Sequence, residues 1–323
     1  MAGSVPDLVD RARSGDARAV ARLISLVEDA SPLLREVMAG LAPYTGNAQV
    51  VGITGSPGVG KSTSTSHVVK ALRAHGKRVG VLAVDPSSPF SGGALLGDRV
   101  RMQDHATDPD VYIRSMASRG HLGGLSWSTP QALRVLDAAG CDMVLVETVG
   151  VGQSEVEVAG LADTTVVLLA PGMGDAIQAA KAGILEIGDV YVVNKADRDG
   201  ADAVRRDLRN MIALADRGGE PGDQWKPPIV KTVAQTGQGV DEVVEKIEEH
   251  RRWMESCGEL GRRRVRRARD EIEAIAVTAL RERWGDVHAR TELDDLAAQV
   301  VSGDSDPYRA ADQLLESYAD RAG

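Results

Sequence analysis

Apolar residues recur at threes and fours along the start of the chain: Val5, Leu8, Val9, Ala12, Ala19, Val20, Leu23, Ile24 and Val27. That period predicts amphipathic helix across residues 5–42, with Ser31-Pro32 starting a second short helix. Tyr44-Thr45-Gly46-Asn47 marks a break. From Gln49 the pattern changes to short apolar runs at 50–54, 79–84, 111–113, 143–146, 165–170, 190–193 and 229–233. The runs are continuous and Val-rich, as strands buried on both faces are. Helical stretches between them predict an α/β fold with a doubly wound, mostly parallel sheet. Ligands of such sheets bind at the carboxyl ends of the strands. Beyond Glu255 the sheet pattern stops. Residues 258–284 read as a long charged helix, and Thr291 and Asp306-Pro307 supply starts for two more. The expected organisation is a helical extension over 1–45, an α/β domain over 46–255 and a helical arm over 256–323. The arm is too thin to bury a core of its own.

Composition narrows the classes. The 323 residues are 43% hydrophobic, ample for a sizeable core. A formal charge of -9 argues against broad nucleic-acid or anionic-membrane binding. Two cysteines in unrelated contexts make no disulfide framework, and the six histidines form no ligand-spaced pair. No stretch is long and apolar enough to span a bilayer, so a cytoplasmic protein is the expectation, or a mature organellar one.

The chemistry starts at Gly55-Ser56-Pro57-Gly58-Val59-Gly60-Lys61-Ser62, followed by Thr63. This is G-x-x-x-x-G-K-[ST] placed after a strand and before a helix, and it makes the 46–255 region a P-loop domain. Its glycines let several backbone N–H groups face phosphate oxygens, and the helix N-terminus adds partial positive charge. Lys61 is expected to reach the β- and γ-phosphates, and the Ser62 hydroxyl to bind Mg²⁺. Three acids fall at strand ends on the same side: Asp85, Asp98 within Gly97–Met102, and Glu147, which opens Glu147-Thr148-Val149-Gly150. Asp85, Asp98 and Glu147 are candidate Mg²⁺ ligands, direct or through water, and Gly150 can offer its N–H to the γ-phosphate. Lys61, Asp98, Glu147 and Gly150 form the candidate catalytic set.

The base is read by Asn194-Lys195-Ala196-Asp197, at the end of a further apolar strand. In an N-K-x-D box the Asp carboxylate accepts hydrogen bonds from guanine N1–H and the 2-amino group. Adenine lacks both donors in that arrangement, so losing two charge-assisted bonds costs roughly 3–6 kcal/mol. The Lys195 stem can cover the base, and Asn194 can tie its loop to the P-loop. Val233, Ala234 and Gln235, within Thr232–Gly237, supply candidate backbone donors to guanine O6. The reading is a Mg²⁺-dependent GTPase, with GTP and GDP as its nucleotides.

The combination of Gly55–Thr63, Asp85-Pro86-Ser87-Ser88-Pro89, Gly97–Met102, Glu147–Glu155, Pro171-Gly172-Met173-Gly174-Asp175 and Asn194–Asp197 resembles the MeaB/ArgK family of G3E-type GTPases. The resemblance covers nearly the whole chain. It implies a chaperone of an adenosylcobalamin-dependent acyl-CoA mutase, methylmalonyl-CoA mutase above all, that gates cofactor loading and reactivation. It further implies a homodimer to which the C-terminal arm contributes. The family's switch III maps onto Gly172–Lys181, making Asp175 and Lys181 candidates for coupling nucleotide state to the client.

No Gln follows Gly150 directly, where a Ras-like GTPase places its water-orienting residue, so intrinsic turnover is expected to be slow and raised by a partner. Arg99, Arg101 and Arg114 are possible charge stabilisers, set against ordinary surface pairing. Two rival readings are a nickel or cobalt metallochaperone GTPase, which calls for a His-rich tract or ligand cysteines, and a P-loop kinase linked to amino-acid transport, which has little use for a guanine box. The run Arg262–Arg269 is flanked by Glu259, Asp270, Glu271 and Glu273. It reads as a solvated or subunit-facing helix with ion pairs, not a nucleic-acid surface.

Overall fold

The computed structural model describes residues 4–85, 103–105, 107–117, 128–148, 154–172, 186–215, 224–284 and 291–322. These form two compact units, residues 1–264 and 265–323.

The first unit is built on strands β1 (Gln49–Thr54), β2 (Val79–Asp85), β3 (Val111–Ala117), β4 (Met143–Thr148), β5 (Thr164–Leu169), β6 (Val190–Val193) and β7 (Ile229–Lys231). They lie in the order β3-β2-β4-β1-β5-β6-β7, and every pairing is parallel. β1, β4, β5 and β6 are buried along their full lengths, which is why they read as unbroken apolar runs. β3 runs further than its apolar run because Arg114, in its middle, pairs with Glu28 of the N-terminal helices. Arg114 is therefore a tie to that extension, the ion-pair role that stood against charge stabilisation.

Alternate strand residues feed opposite faces. Val51, Ile53, Val79, Val81, Leu145, Val166 and Val192 pack with helices α4 (Lys61–Ala74) and α8 (Val240–Ser256). On the other face Val50, Leu82, Val84, Val144 and Val146 meet α1 (Val5–Arg13), α2 (Ala17–Glu28), α3 (Leu34–Leu41), α5 (Thr129–Ala138) and α6 (Ser154–Leu161). Also there, Val167, Leu169, Tyr191 and Val193 cover α7 (Ala201–Ala215). The N-terminal helices thus share one core with the sheet. Their first break differs from the sequence expectation of unbroken helix up to Ser31. Gly15 adopts a left-handed φ of 88°, and Asp16 caps α2 by accepting from the backbone of Arg18 and Ala19.

Gly52 of β1 faces Val158 of α6 so closely that a Cβ would lie 2.8 Å from Val158 Cγ2. Val158 is fully buried and, being β-branched on a helix, has little rotamer freedom. Gly52→Ala is expected to lower unfolding stability by about 1–3 kcal/mol, the cost of overpacking, read as a fall in the urea midpoint.

At the amino edge of the sheet, helix α9 (Glu259–Trp284) starts with two clamps. Arg263 makes two bonds of 2.9 Å to the Asp189 carboxylate, and Arg264 reaches Asp163 at 3.0 Å and the Ala48 carbonyl at 2.8 Å. These two arginines pair with residues that precede β6 and β5, whereas Arg262 pairs with Glu259 on its own helix. Beside them His250 is fully buried between the Trp225 and Trp253 rings, with Nδ1 2.9 Å from Thr164 Oγ1. Burial pushes the imidazole down to about 4, against the opposing pull of Asp189. Once unfolded it returns to about 6.5, so between those values the unfolded chain takes a proton that the folded chain refuses. Stability is therefore expected to fall as pH drops through this window, by about 2 kcal/mol between pH 6.5 and 5. Urea midpoints of the native chain and His250→Gln across that window check it; parallel slopes would exclude His250 as the cause.

In the second unit, α10 (Thr291–Ser302) and α11 (Pro307–Ala322) pack on each other, with Leu296 and Ala310 buried. Thr291 and Pro307 open them at the expected starts.

Candidate nucleotide site

The site is assembled at the carboxyl ends of β1, β4 and β6. β1 delivers the P-loop into α4, whose first residues are Lys61 and Ser62. Lys61 is 8% exposed, and its Nζ folds back onto the Gly55 carbonyl and lies 3.1 Å from the Ser56 carbonyl. The ammonium therefore stands at the head of the loop, where phosphate would sit.

Ile53 and Glu147 are register partners, so Glu147 emerges beside the P-loop. The buried Ser62 Oγ donates to Glu147 Oε1 at 2.6 Å. A hydroxyl and a carboxylate, completed by phosphate oxygens and water, are the hard oxygen donors that Mg²⁺ takes, and the pair fits that ion. One residue along, the fully buried Thr148 and Thr54 hydroxyls meet at 3.3 Å. Asp85 ends β2. Asp98, Gly150, Asp175 and Lys181 lie outside the described residues, as do Arg99 and Arg101.

β6 delivers the base-reading box. Asn194 Nδ2 donates to the Val59 carbonyl at 2.8 Å, binding the box to the P-loop. Its Oδ1 accepts from Thr232 Oγ1 at 3.1 Å and from the Ala234 N–H at 3.0 Å, binding the box to the loop after β7. The approach is close: a Cβ on Gly60, whose φ is +98°, would lie 2.5 Å from Asn194 Nδ2. Lys195 takes a left-handed φ of 55°, and its Nζ donates to the Gly58 carbonyl at 2.7 Å, laying the stem across the gap between box and P-loop. Asp197 is exposed, free to face a base. In the 232–239 loop the Val233 N–H is used by Gln238 and the Ala234 N–H by Asn194. Of the three candidate donors Val233, Ala234 and Gln235, these bonds leave the Gln235 N–H to face a ligand. The role of Thr232 in holding Asn194 was not evident from sequence, since a lone Thr before a turn has many uses.

The comparisons agree with this geometry. The family model described as Methylmalonyl Co-A mutase-associated GTPase MeaB matches residues 20–288. A protein of Pyrococcus horikoshii, named as a GTPase, is 49% identical over 318 residues, covering 98% of this chain and 99% of its own. The mouse methylmalonic aciduria type A homolog, mitochondrial, is 36% identical over 272 residues, covering 84% of this chain and 66% of its own. Among solved structures, one described as an LAO/AO transport system kinase superposes with a TM-score of 0.74 at 28% identity, covering 97% of this chain and 96% of that one. With a P-loop closed on a guanine-type box at the ends of a parallel sheet, the chain belongs to the MeaB family and is a P-loop GTPase.

Proposed function

We propose that the chain is a Mg²⁺-dependent GTPase chaperone of adenosylcobalamin-dependent methylmalonyl-CoA mutase, gating loading and reactivation of the mutase cofactor. The observation that carries this reading is the family match over residues 20–288, whose description names that mutase. The likeness to the methylmalonic aciduria type A homolog supports it.

Hydrolysis is an in-line attack of water on the γ-phosphorus. The new P–O bond forms as the β–γ bridging bond breaks; GDP leaves and the water's proton passes to phosphate. Lys61 and the backbone N–H groups of Gly58–Thr63 offset charge that develops on the β- and γ-oxygens. Mg²⁺, when bound, would supply Lewis-acid neutralisation of the same oxygens. Ser62 and Glu147 would hold it, with Asp85 and Asp98 as further acids of the set. The Gly150 N–H is assigned to the γ-phosphate. Asp197 accepts from guanine N1–H and the 2-amino group, while Asn194 and Lys195 hold the box on the P-loop. Asp175 and Lys181 are assigned to coupling with the client.

The working unit in this proposal is a homodimer. In the second unit Val265, Ile272 and Ile275 stand on one stripe of α9 at 70%, 67% and 48% exposure, a face that a second copy would cover. Among the described residues no helix is long and apolar enough to cross a membrane.

The test is to titrate the chain with adenosylcobalamin-dependent methylmalonyl-CoA mutase while following phosphate release and complex formation. The expected result is faster GTP turnover and a complex whose affinity depends on GDP or GTP. Turnover and affinity indifferent to the mutase would leave the GTPase in place and reject this client. Transfer of labelled γ-phosphate to an acceptor other than water would favour the kinase reading instead.

A further inference from the structure

The sheet has a second end. Where β1 and β4 begin, Gln49 and Met143 are register partners. The P-loop leaves the other end of β1, roughly 20 Å away. A cavity of about 810 Å³ opens at the amino ends, between the last turns of α8 and the end of α5. That volume suits a small metabolite. Its most buried lining residues are Gln49, Cys141 and Met143.

Charged groups of both signs line the cavity, and several are already engaged. The Asp137 carboxylate accepts from the N–H groups of Gly46, Asn47 and Ala48. Glu255 accepts from Arg251 Nε at 2.9 Å. The Arg13 guanidinium lies over the Tyr44 ring, 3.5 Å from its centroid. Lys77 and Arg252 are the cations left over. Among the described residues Lys77 Nζ has no partner, and Arg252 uses only Nε, in a long 3.4 Å bond to the Glu248 carbonyl. The acceptors left over are the Glu248 carboxylate and one oxygen of Asp142, whose Oδ2 takes the Arg78 N–H.

Gln49 adds an acceptor at the bottom. It is 1% exposed, and its Nε2 donates to Thr164 Oγ1 at 3.2 Å and to the Ile247 carbonyl at 3.4 Å. With both amide hydrogens committed, the atom it presents to the cavity is Oε1, unpartnered among the described residues. A polar atom this deep is met by a donor from water or from a ligand.

We propose that this cavity binds a hydroxylated phosphate ester, the chemistry shared by a free sugar phosphate and the ribose phosphate of a nucleotide. Lys77 and Arg252 take the phosphate by charge-assisted bonds. Gln49 Oε1, Asp142 and Glu248 accept, and ring hydroxyls are the donors that meet them. A bare anion would leave those acceptors unmet and face two carboxylates. A neutral sugar would leave both cations unmet. The site is separate from the GTP pocket, so the two can be filled together.

The test titrates the full chain, saturated with GDP and Mg²⁺, with ribose 5-phosphate, AMP, ribose and inorganic phosphate, by calorimetry and ligand-observed NMR. Filling the nucleotide site first leaves the second site to be read. Ribose 5-phosphate is expected to bind with a Kd on the order of 100 µM, and ribose and inorganic phosphate at least about tenfold more weakly. Lys77→Ala and Arg252→Ala each raise that Kd about tenfold, with unfolding midpoints near that of the native chain. Glu248→Ala weakens ribose 5-phosphate and leaves inorganic phosphate no weaker, since a repelling charge is gone. AMP binding at least as well as ribose 5-phosphate upholds the site and assigns it to a nucleotide; weaker AMP binding upholds it and assigns it to a free sugar phosphate. Absence of binding by both esters at millimolar concentration overturns the proposal. Inorganic phosphate binding as tightly as the esters, or affinities that ignore both Lys77 and Arg252, also overturn it.

Discussion

Replacing Lys61 by alanine is expected to slow GTP hydrolysis about 10³-fold. The ammonium is nearly buried and held at the loop head by the carbonyls of Gly55 and Ser56. There it faces charge that grows on the β- and γ-oxygens as the bridging bond breaks, in surroundings where water screens little. Its removal costs the transition state more than the bound ground state, so the fall should appear in the rate at saturating GTP as well as in affinity. The fold should hold, because the two carbonyls can take water in its place. Rapid-quench single turnovers with GTP in excess over its Kd, with a matched unfolding curve, measure both. A loss under about tenfold would mean that charge neutralisation is centred elsewhere.

Asp197→Asn is expected to weaken GTP binding by roughly 10²–10⁴, the equivalent of two charge-assisted hydrogen bonds. The same change should raise affinity for XTP. Xanthine keeps the N1–H but has a carbonyl in place of the 2-amino group, so an Asn amide can accept from one and donate to the other. The geometry makes the exchange local. Asp197 is exposed, and the bonds that hold its loop belong to Asn194 and Lys195. Competition of XTP and GTP against a fluorescent guanine nucleotide reads the swap. Equal losses for both nucleotides would show that Asn deforms the loop instead of changing its donors.

Much of this architecture was legible in the residues, for a physical reason. Strands covered on both faces have no polar phase, so β1, β4, β5 and β6 appear as continuous apolar runs. The P-loop and the Asn194–Asp197 box were legible because each needs particular atoms at fixed spacing after a strand. What stayed hidden depends on pairs distant in sequence. Nothing local shows that Arg263 and Arg264 meet Asp189 and Asp163, so the arginine run reads as a solvated helix until the strand starts are placed. For Arg114 pairing was expected, but its partner Glu28 belongs to the N-terminal extension and could not be named from the sequence. Ser14-Gly15-Asp16 interrupts a helix whose apolar period continues across the break. His105 stood as a lone histidine without ligand spacing, and only its contact with Ser66 gives it a place. Asp98, Gly150, Asp175 and Lys181 rest on their motifs alone, as they lie outside the described residues.

Steady-state phosphate release from GTP and from ATP, in the same buffer with Mg²⁺, bears most directly on the central claim that this site hydrolyses guanine nucleotides by reading the base through Asp197. The account predicts a kcat/KM for GTP above that for ATP by roughly two to four orders of magnitude, from two charge-assisted bonds that adenine cannot make. Comparable kcat/KM values for the two nucleotides would contradict it, and would mean that the Asn194–Asp197 box does not read the base.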